Sequence, residues 1–192
     1  MKALILLATL KNEGLSNTLT LSEFLAEKLR KAKIDVEIVR LVDLDIAPGT
    51  YSDMGDGDEW PRVLKKIFAS DIIIFATPVW WNNLSSLMQR VLERLDELHD
   101  QVLAGKPSGL EKKAAGIVVT GDSDGAQSII GGLANFFNAV GLPLPPLTTL
   151  TVLWGRQAKD KKISRKELLE YYKKECTETA DTMVKQLKAA IK

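Results

Sequence analysis

Two adjacent indoles, Trp80 and Trp81, stand in the stretch Thr77-Pro78-Val79-Trp80-Trp81-Asn82-Asn83, directly after an apolar run at 72–76. Paired aromatics behind a proline, which removes a backbone donor and stiffens the turn, suit the wall of a site for a planar ligand. The same pair could simply cap the core beneath a loop, since burying such rings is a large apolar gain. A second stretch, residues 9–18, offers anion chemistry. It carries Thr9, Lys11, Ser16, Asn17 and Thr18 and runs straight into a helical pattern. A helix N-terminus presents unpaired N–H groups and a partial positive charge, which fits a phosphate; ordinary N-capping by Ser16 or Asn17 would use the same residues. The third stretch is Thr120-Gly121-Asp122-Ser123-Asp124-Gly125-Ala126. Its glycines allow the close backbone approach that hydrogen bonding to a ring edge needs, or they form a turn before a capped helix.

Several phosphate patterns are absent. The first loop lacks GxxxxGK(S/T) and GxGxxG, so neither a P-loop nor a dinucleotide in the usual Rossmann pose is expected. A receiver domain would need acidic residues after the first strand and an Asp ending the third, where Thr9 and Thr77 stand. What remains is a mononucleotide phosphate with a flat ring against Trp80 and Trp81.

The elements that must position these loops follow from periodicity. Apolar, β-branched runs at 2–8, 36–41, 72–76, 114–121 and 147–154 read as strands. Between them lie helical patterns at 17–33, near 61–69 and at 84–95, another after Asp124, and a last one after Ser164. Asp124 with Gln127, and Ser164 with Glu167, have capping-box spacing. Gly141 followed by Pro143 ends the fourth helix. The last helix carries Leu168, Tyr172, Cys176, Ala180, Met183 and Leu187 on one stripe. Strict alternation implies parallel pairing through right-handed crossovers: an α/β fold, a three-layer α/β/α sandwich on a five-stranded parallel sheet. The order 2-1-3-4-5 puts the switch point between strands one and three, so the loops after them open onto one crevice. The alternation in strand two and the threonines of strand five suit less covered positions.

The 192 residues suggest one domain, 1–192. Lys plus Arg (26) nearly balance Asp plus Glu (25), which offers no field for nucleic acid or an anionic membrane. The lysine-rich segment 159–166 has no interleaved aromatics and reads as a solvated loop and helix start. One cysteine, Cys176, excludes an intramolecular disulfide and suits a reducing, cytoplasmic setting. The apolar start is interrupted by Lys11-Asn12-Glu13 and reads as a buried strand rather than a secretory signal. No run approaches membrane-spanning length.

At the three loops the sequence resembles the flavodoxin-like NAD(P)H-dependent FMN reductases and the related quinone and azo reductases, over nearly the whole chain. Ser16-Asn17-Thr18 matches the end of the family's phosphate loop, with Lys11 where an arginine is usual. Residues 77–83 resemble its flavin-facing Thr-Pro-Val-Tyr-Trp-Gly-Asn, and Glu93-Arg94 falls where Asp-Arg is common. Trp80 replaces the tyrosine, Asn82 the glycine, and Gln89 a common lysine. The resemblance implies FMN, with its phosphate at Thr9, Lys11, Ser16, Asn17 and Thr18. Pro78, Val79, Trp80, Trp81 and Asn82 would contact the isoalloxazine, and Thr120, Gly121 and Asp122 its polar edge, with Gly125 of the same loop also among the cofactor-binding residues. It further implies NAD(P)H as co-substrate, a quinone, azo, nitro or flavin acceptor, and a homodimer or homotetramer. The chemistry then belongs to the flavin, and no side chain is assigned as acid or base.

His99 reads as a solvated residue at the end of helix three. The acidic segment 43–59 lacks EF-hand spacing, so no metal is expected. It reads as a mobile segment near the flavin or a subunit contact, with Asp58 capping the next helix. An electron carrier of the flavodoxin type is the alternative function, although such carriers tend to be strongly acidic; an interaction module with a vacant site is a third.

Overall fold

Why the middle of the sheet is apolar throughout while its edges alternate is plain from strand order. The computed structural model describes residues 1–157 and 163–191. Among them β1 (Lys2–Leu7), β2 (Asp35–Arg40), β3 (Ile72–Pro78), β4 (Ala114–Gly121) and β5 (Thr149–Leu153) form a parallel sheet in the order β2-β1-β3-β4-β5. The three inner strands are covered on both faces and are buried nearly end to end. Edge strands β2 and β5 alternate buried and open residues, as their sequences suggested. Every inner Leu or Ile so buried contributes roughly 1.5–3 kcal/mol.

Helices α1 (Asn17–Lys31), α6 (Arg165–Glu175) and α7 (Thr177–Ala190) cover one face of the sheet. On the other lie α2 (Trp60–Phe68), α3 (Ser86–Arg94), α4 (Asp96–Leu103) and α5 (Ala126–Ala139). In β3, Ile72, Ile74 and Ala76 point to the first core and Ile73 and Phe75 to the second. The result is the expected three-layer sandwich.

Local departures have physical causes. The stripe read as one last helix is two, broken at Cys176, where φ is −115°; the buried stripe continues across the break and Cys176 lies in the core. The pattern at 84–95 likewise gives way to α4 at Leu95, whose N–H is shared between the carbonyls of Val91 and Leu92, each at 3.1 Å. His99 therefore sits within α4, not at a helix end. Strand five starts at Thr149 because Leu147 adopts a φ of 61°, which no strand allows. Asp124 does not cap α5: its carboxylate accepts the N–H of Gly125 at 2.7 Å, and Gly125 itself, at φ 126°, occupies the cap position. The Ser164–Glu167 capping box forms, and Gly141 supplies the left-handed residue after α5. Of the lysine-rich segment 159–166, residues 159–162 lie outside the described residues.

The acidic segment is tied down rather than loose. Arg94 is fully buried and donates to Tyr51 O (2.8 Å), Ala47 O (2.9 Å) and the Asp58 carboxylate (2.7 Å). Asp58 also accepts the N–H groups of Ala47, Met54 and Trp60, the last being the first residue of α2. Arg90 donates to Ile46 O, and Glu97 accepts the Ser52 N–H. Burial pushes the Asp58 carboxyl upward, but the Arg94 guanidinium and these three amides outweigh it and hold the pKa at about 2, below the ordinary 3.8. Among the described residues no cluster of three or more His, Cys, Asp or Glu could hold a metal, and no helix is long and apolar enough to cross a membrane.

Replacing Asp58 with alanine leaves the Arg94 charge buried and unpaired, and lowers unfolding free energy by about 3–5 kcal/mol in urea denaturation. Because the folded-state pKa is depressed, the wild-type advantage is full above pH 3.8 and is lost as pH falls through about 2.

Candidate functional site

The carboxyl ends of β1, β3 and β4 carry the three loops singled out by sequence, and a set of buried hydroxyls fixes how they leave the sheet. Ser85, fully buried, caps α3 by accepting the Met88 N–H, and its hydroxyl donates to Ala8 O at 2.7 Å. Thr77, at the end of β3, accepts the Ser85 N–H at 3.2 Å. The first turn of α3 is thereby bonded to the exit of β1. On the other side, Thr18 of α1 and Thr120 of β4 share a hydrogen bond of 2.7 Å between their hydroxyls.

These loops line a single cavity of about 480 Å³, within the range usual for small-ligand sites. Thr9, Lys11, Ser16, Asn17, Thr18, Pro78, Val79, Trp80, Trp81, Asn82, Thr120, Gly121 and Asp122 all reach it. Gly125 does not; it lies behind the loop of residues 79–83. Sequence reasoning missed Leu10 and Ser123, which also line the cavity. A large apolar residue in an otherwise polar loop, between Thr9 and Lys11, was the available signal for Leu10, which the structure leaves 42% exposed.

The hydroxyls have distinct assignments. Ser16 accepts the Leu19 N–H as the cap of α1, and gives its own proton to Thr9 at 2.9 Å. It therefore shapes the loop instead of offering a donor to a ligand. Thr9 accepts from Ser16 and from the Lys11 N–H (3.3 Å), which leaves the Thr9 proton for an acceptor in the cavity. In the Thr18–Thr120 pair one proton is used between the two, whichever donates, and one remains. The first amides of α1, those of Asn17 and Thr18, have no intrahelical acceptor. Lys11 extends its ammonium to Leu15 O at 2.8 Å and so holds positive charge over the loop.

The indoles do not cap the core. Trp80 is 40% and Trp81 92% exposed, whereas the tryptophan that fills the core is Trp60. Trp80 and Asn83 exchange backbone hydrogen bonds of 2.9 and 2.8 Å around a two-residue turn. Both central residues are left-handed, Trp81 at φ 49° and Asn82 at φ 62°, the signature of the tight turn that favours Asn or Gly. Asparagine tolerates that conformation; for Trp81 it costs roughly 1–2 kcal/mol. Gly125 backs this turn so closely that an added Cβ would lie 2.7 Å from the Asn82 Cα.

A family model described as NADPH-dependent FMN reductase matches residues 1–155. The 8-demethyl-8-aminoriboflavin-5′-phosphate synthase of Streptomyces davaonensis is 33% identical over 156 residues, covering 76% of this chain and 61% of the relative. The chain thus spans about three fifths of that protein's length. The structure of RosB with the bound intermediate 8-demethyl-8-formylriboflavin-5′-phosphate superposes with a TM-score of 0.81 at 26% identity, over 100% of this chain and 79% of that one. A flavone reductase shares the fold, with a TM-score of 0.72 at 16% identity over 99% and 63% of the two chains.

Gly125→Ala puts a methyl group against backbone at a φ that L residues avoid. It is expected to destabilise the protein by about 1–3 kcal/mol in thermal unfolding, with a change in indole emission as the turn at 80–83 shifts.

Proposed function

This chain belongs to the NADPH-dependent FMN reductase family, whose cofactor is FMN, and from that premise we propose that it passes hydride from NAD(P)H through FMN to a small-molecule acceptor. The acceptor class is a quinone, azo, nitro or flavin compound. The observation that carries the reading is the convergence of anion donors and exposed indoles on one cavity.

The residues present fit FMN. A doubly charged phosphate suits the free first-turn amides of α1, the unused protons of Thr9 and the Thr18–Thr120 pair, and the Lys11 charge. A flat ring suits Trp80 and Trp81 beside Pro78, Val79 and Asn82, with Gly121 and Asp122 lining the cavity where its polar edge would lie. When bound, FMN supplies the hydride and electron chemistry. The chain's own contribution is to bind the tail, orient the ring and shield it on the side of the protein. No side chain is assigned a proton transfer.

We read the whole chain, 1–192, as one FMN-binding domain in a cytoplasmic homodimer or homotetramer. The open cavity mouth at Leu10 and Trp81, and the buried lone thiol of Cys176, support that setting. A second reading takes riboflavin phosphate as an exchangeable reactant. It is favoured by the printed names of the synthase relative and of the RosB complex.

The purified protein is expected to be yellow, or to become so with FMN, and anaerobic NADPH should bleach the flavin rapidly. A coloured protein that neither NADPH nor NADH bleaches would overturn the reductase reading in favour of an electron carrier. Recovery of a flavin of altered mass after turnover would establish the second reading instead.

A further inference from the structure

We infer that Arg40, at the carboxyl end of edge strand β2, is a positioning residue of the phosphate loop. This inference rests on the reading that the loop at 9–18 holds the flavin phosphate. Arg40 does not line the cavity. Its Nη2 donates to Lys11 O at 3.3 Å and to Asn12 O at 2.8 Å, and its Nε lies 3.4 Å from the Asp43 carboxylate. One guanidinium therefore clips the crest of the first loop to the start of the segment after β2.

That clip acts where the loop has little else to hold it. Residues 11–14 are all exposed. The other ties in this part of the loop are local: Lys11 N–H to Thr9, and the Lys11 ammonium to Leu15 O. In a planar trans peptide the C=O and N–H point in opposite directions. Fixing the carbonyls of Lys11 and Asn12 on Arg40 therefore turns the following amides, of Asn12 and Glu13, away from it. A loop ordered before the ligand arrives loses less freedom on binding. Two nitrogens of one rigid plane share the work, Nη2 on the two carbonyls and Nε beside the Asp43 carboxylate, whereas a lysine brings a single nitrogen and no fixed plane. Asp43 offsets much of the Arg40 charge, so its effect on a phosphate is carried by geometry more than by field.

The test compares FMN with riboflavin, which shares the ring and lacks the phosphate, by calorimetric titration of the full chain freed of flavin. Arg40→Ala should weaken FMN binding by roughly tenfold and leave riboflavin binding within about twofold, with an unchanged thermal midpoint. Arg40→Lys should recover little of the loss. If Arg40→Lys restores FMN affinity fully, charge alone is at work and the positioning role is overturned. It is also overturned if Arg40→Ala weakens both flavins equally, or if wild type prefers FMN strongly and the variant keeps that preference. If wild type itself does not distinguish the two flavins, the phosphate reading falls and this inference falls with it.

Discussion

A few buried hydroxyl bonds at the carboxyl ends of the central strands make the cavity possible. Parallel strands end with outward-pointing carbonyls and loops that could leave in any direction. Ser85 answers one of these carbonyls, Ala8 O, while capping α3, and the Thr18–Thr120 bond holds α1 against β4. The three loops therefore stay apart at their bases and face one another above the sheet. Each of these side chains is almost wholly buried, where an unmade hydrogen bond costs more than a made one gains. The geometry is accordingly hard to relax.

Above this floor the protein accepts local strain. The turn at Trp81-Asn82 holds two non-glycine residues in the left-handed region, and it keeps an indole outside the core at that cost. The conformation is fixed from behind by Gly125 and flanked by Gly121, whose added Cβ would meet Val79 and Leu153. Asn82 has a φ of 62°, a conformation that asparagine and glycine both tolerate.

The fold was legible because β1, β3 and β4 are short, continuous apolar runs, the last two rich in β-branched residues, and alternate with helical patterns, as doubly covered parallel strands do. The cavity lining was legible because it lies at the ends of those runs, where composition changes abruptly. Contacts between segments distant in sequence were not. Nothing local to Arg94 announces that it will bond Tyr51, Ala47 and Asp58, so the segment at 43–59 read as loose when its backbone is held from α3. The missing Asp124 cap has the same origin: spacing allowed a capping box, but packing of Gly125 against the Asn82 turn set the backbone. Helix breaks at Leu95 and Cys176 left the apolar stripes intact and so gave no sign in the periodicity.

The chain's tryptophans occupy opposed environments, Trp60 sealed in the core and Trp81 almost bare to water. Beside the emission of Trp80 and the half-buried Trp154, its native fluorescence consequently includes a blue, shielded emitter and a red, quencher-accessible one. Iodide would extinguish the second while sparing the first, so a single cuvette could follow events at the cavity mouth separately from the integrity of the interior.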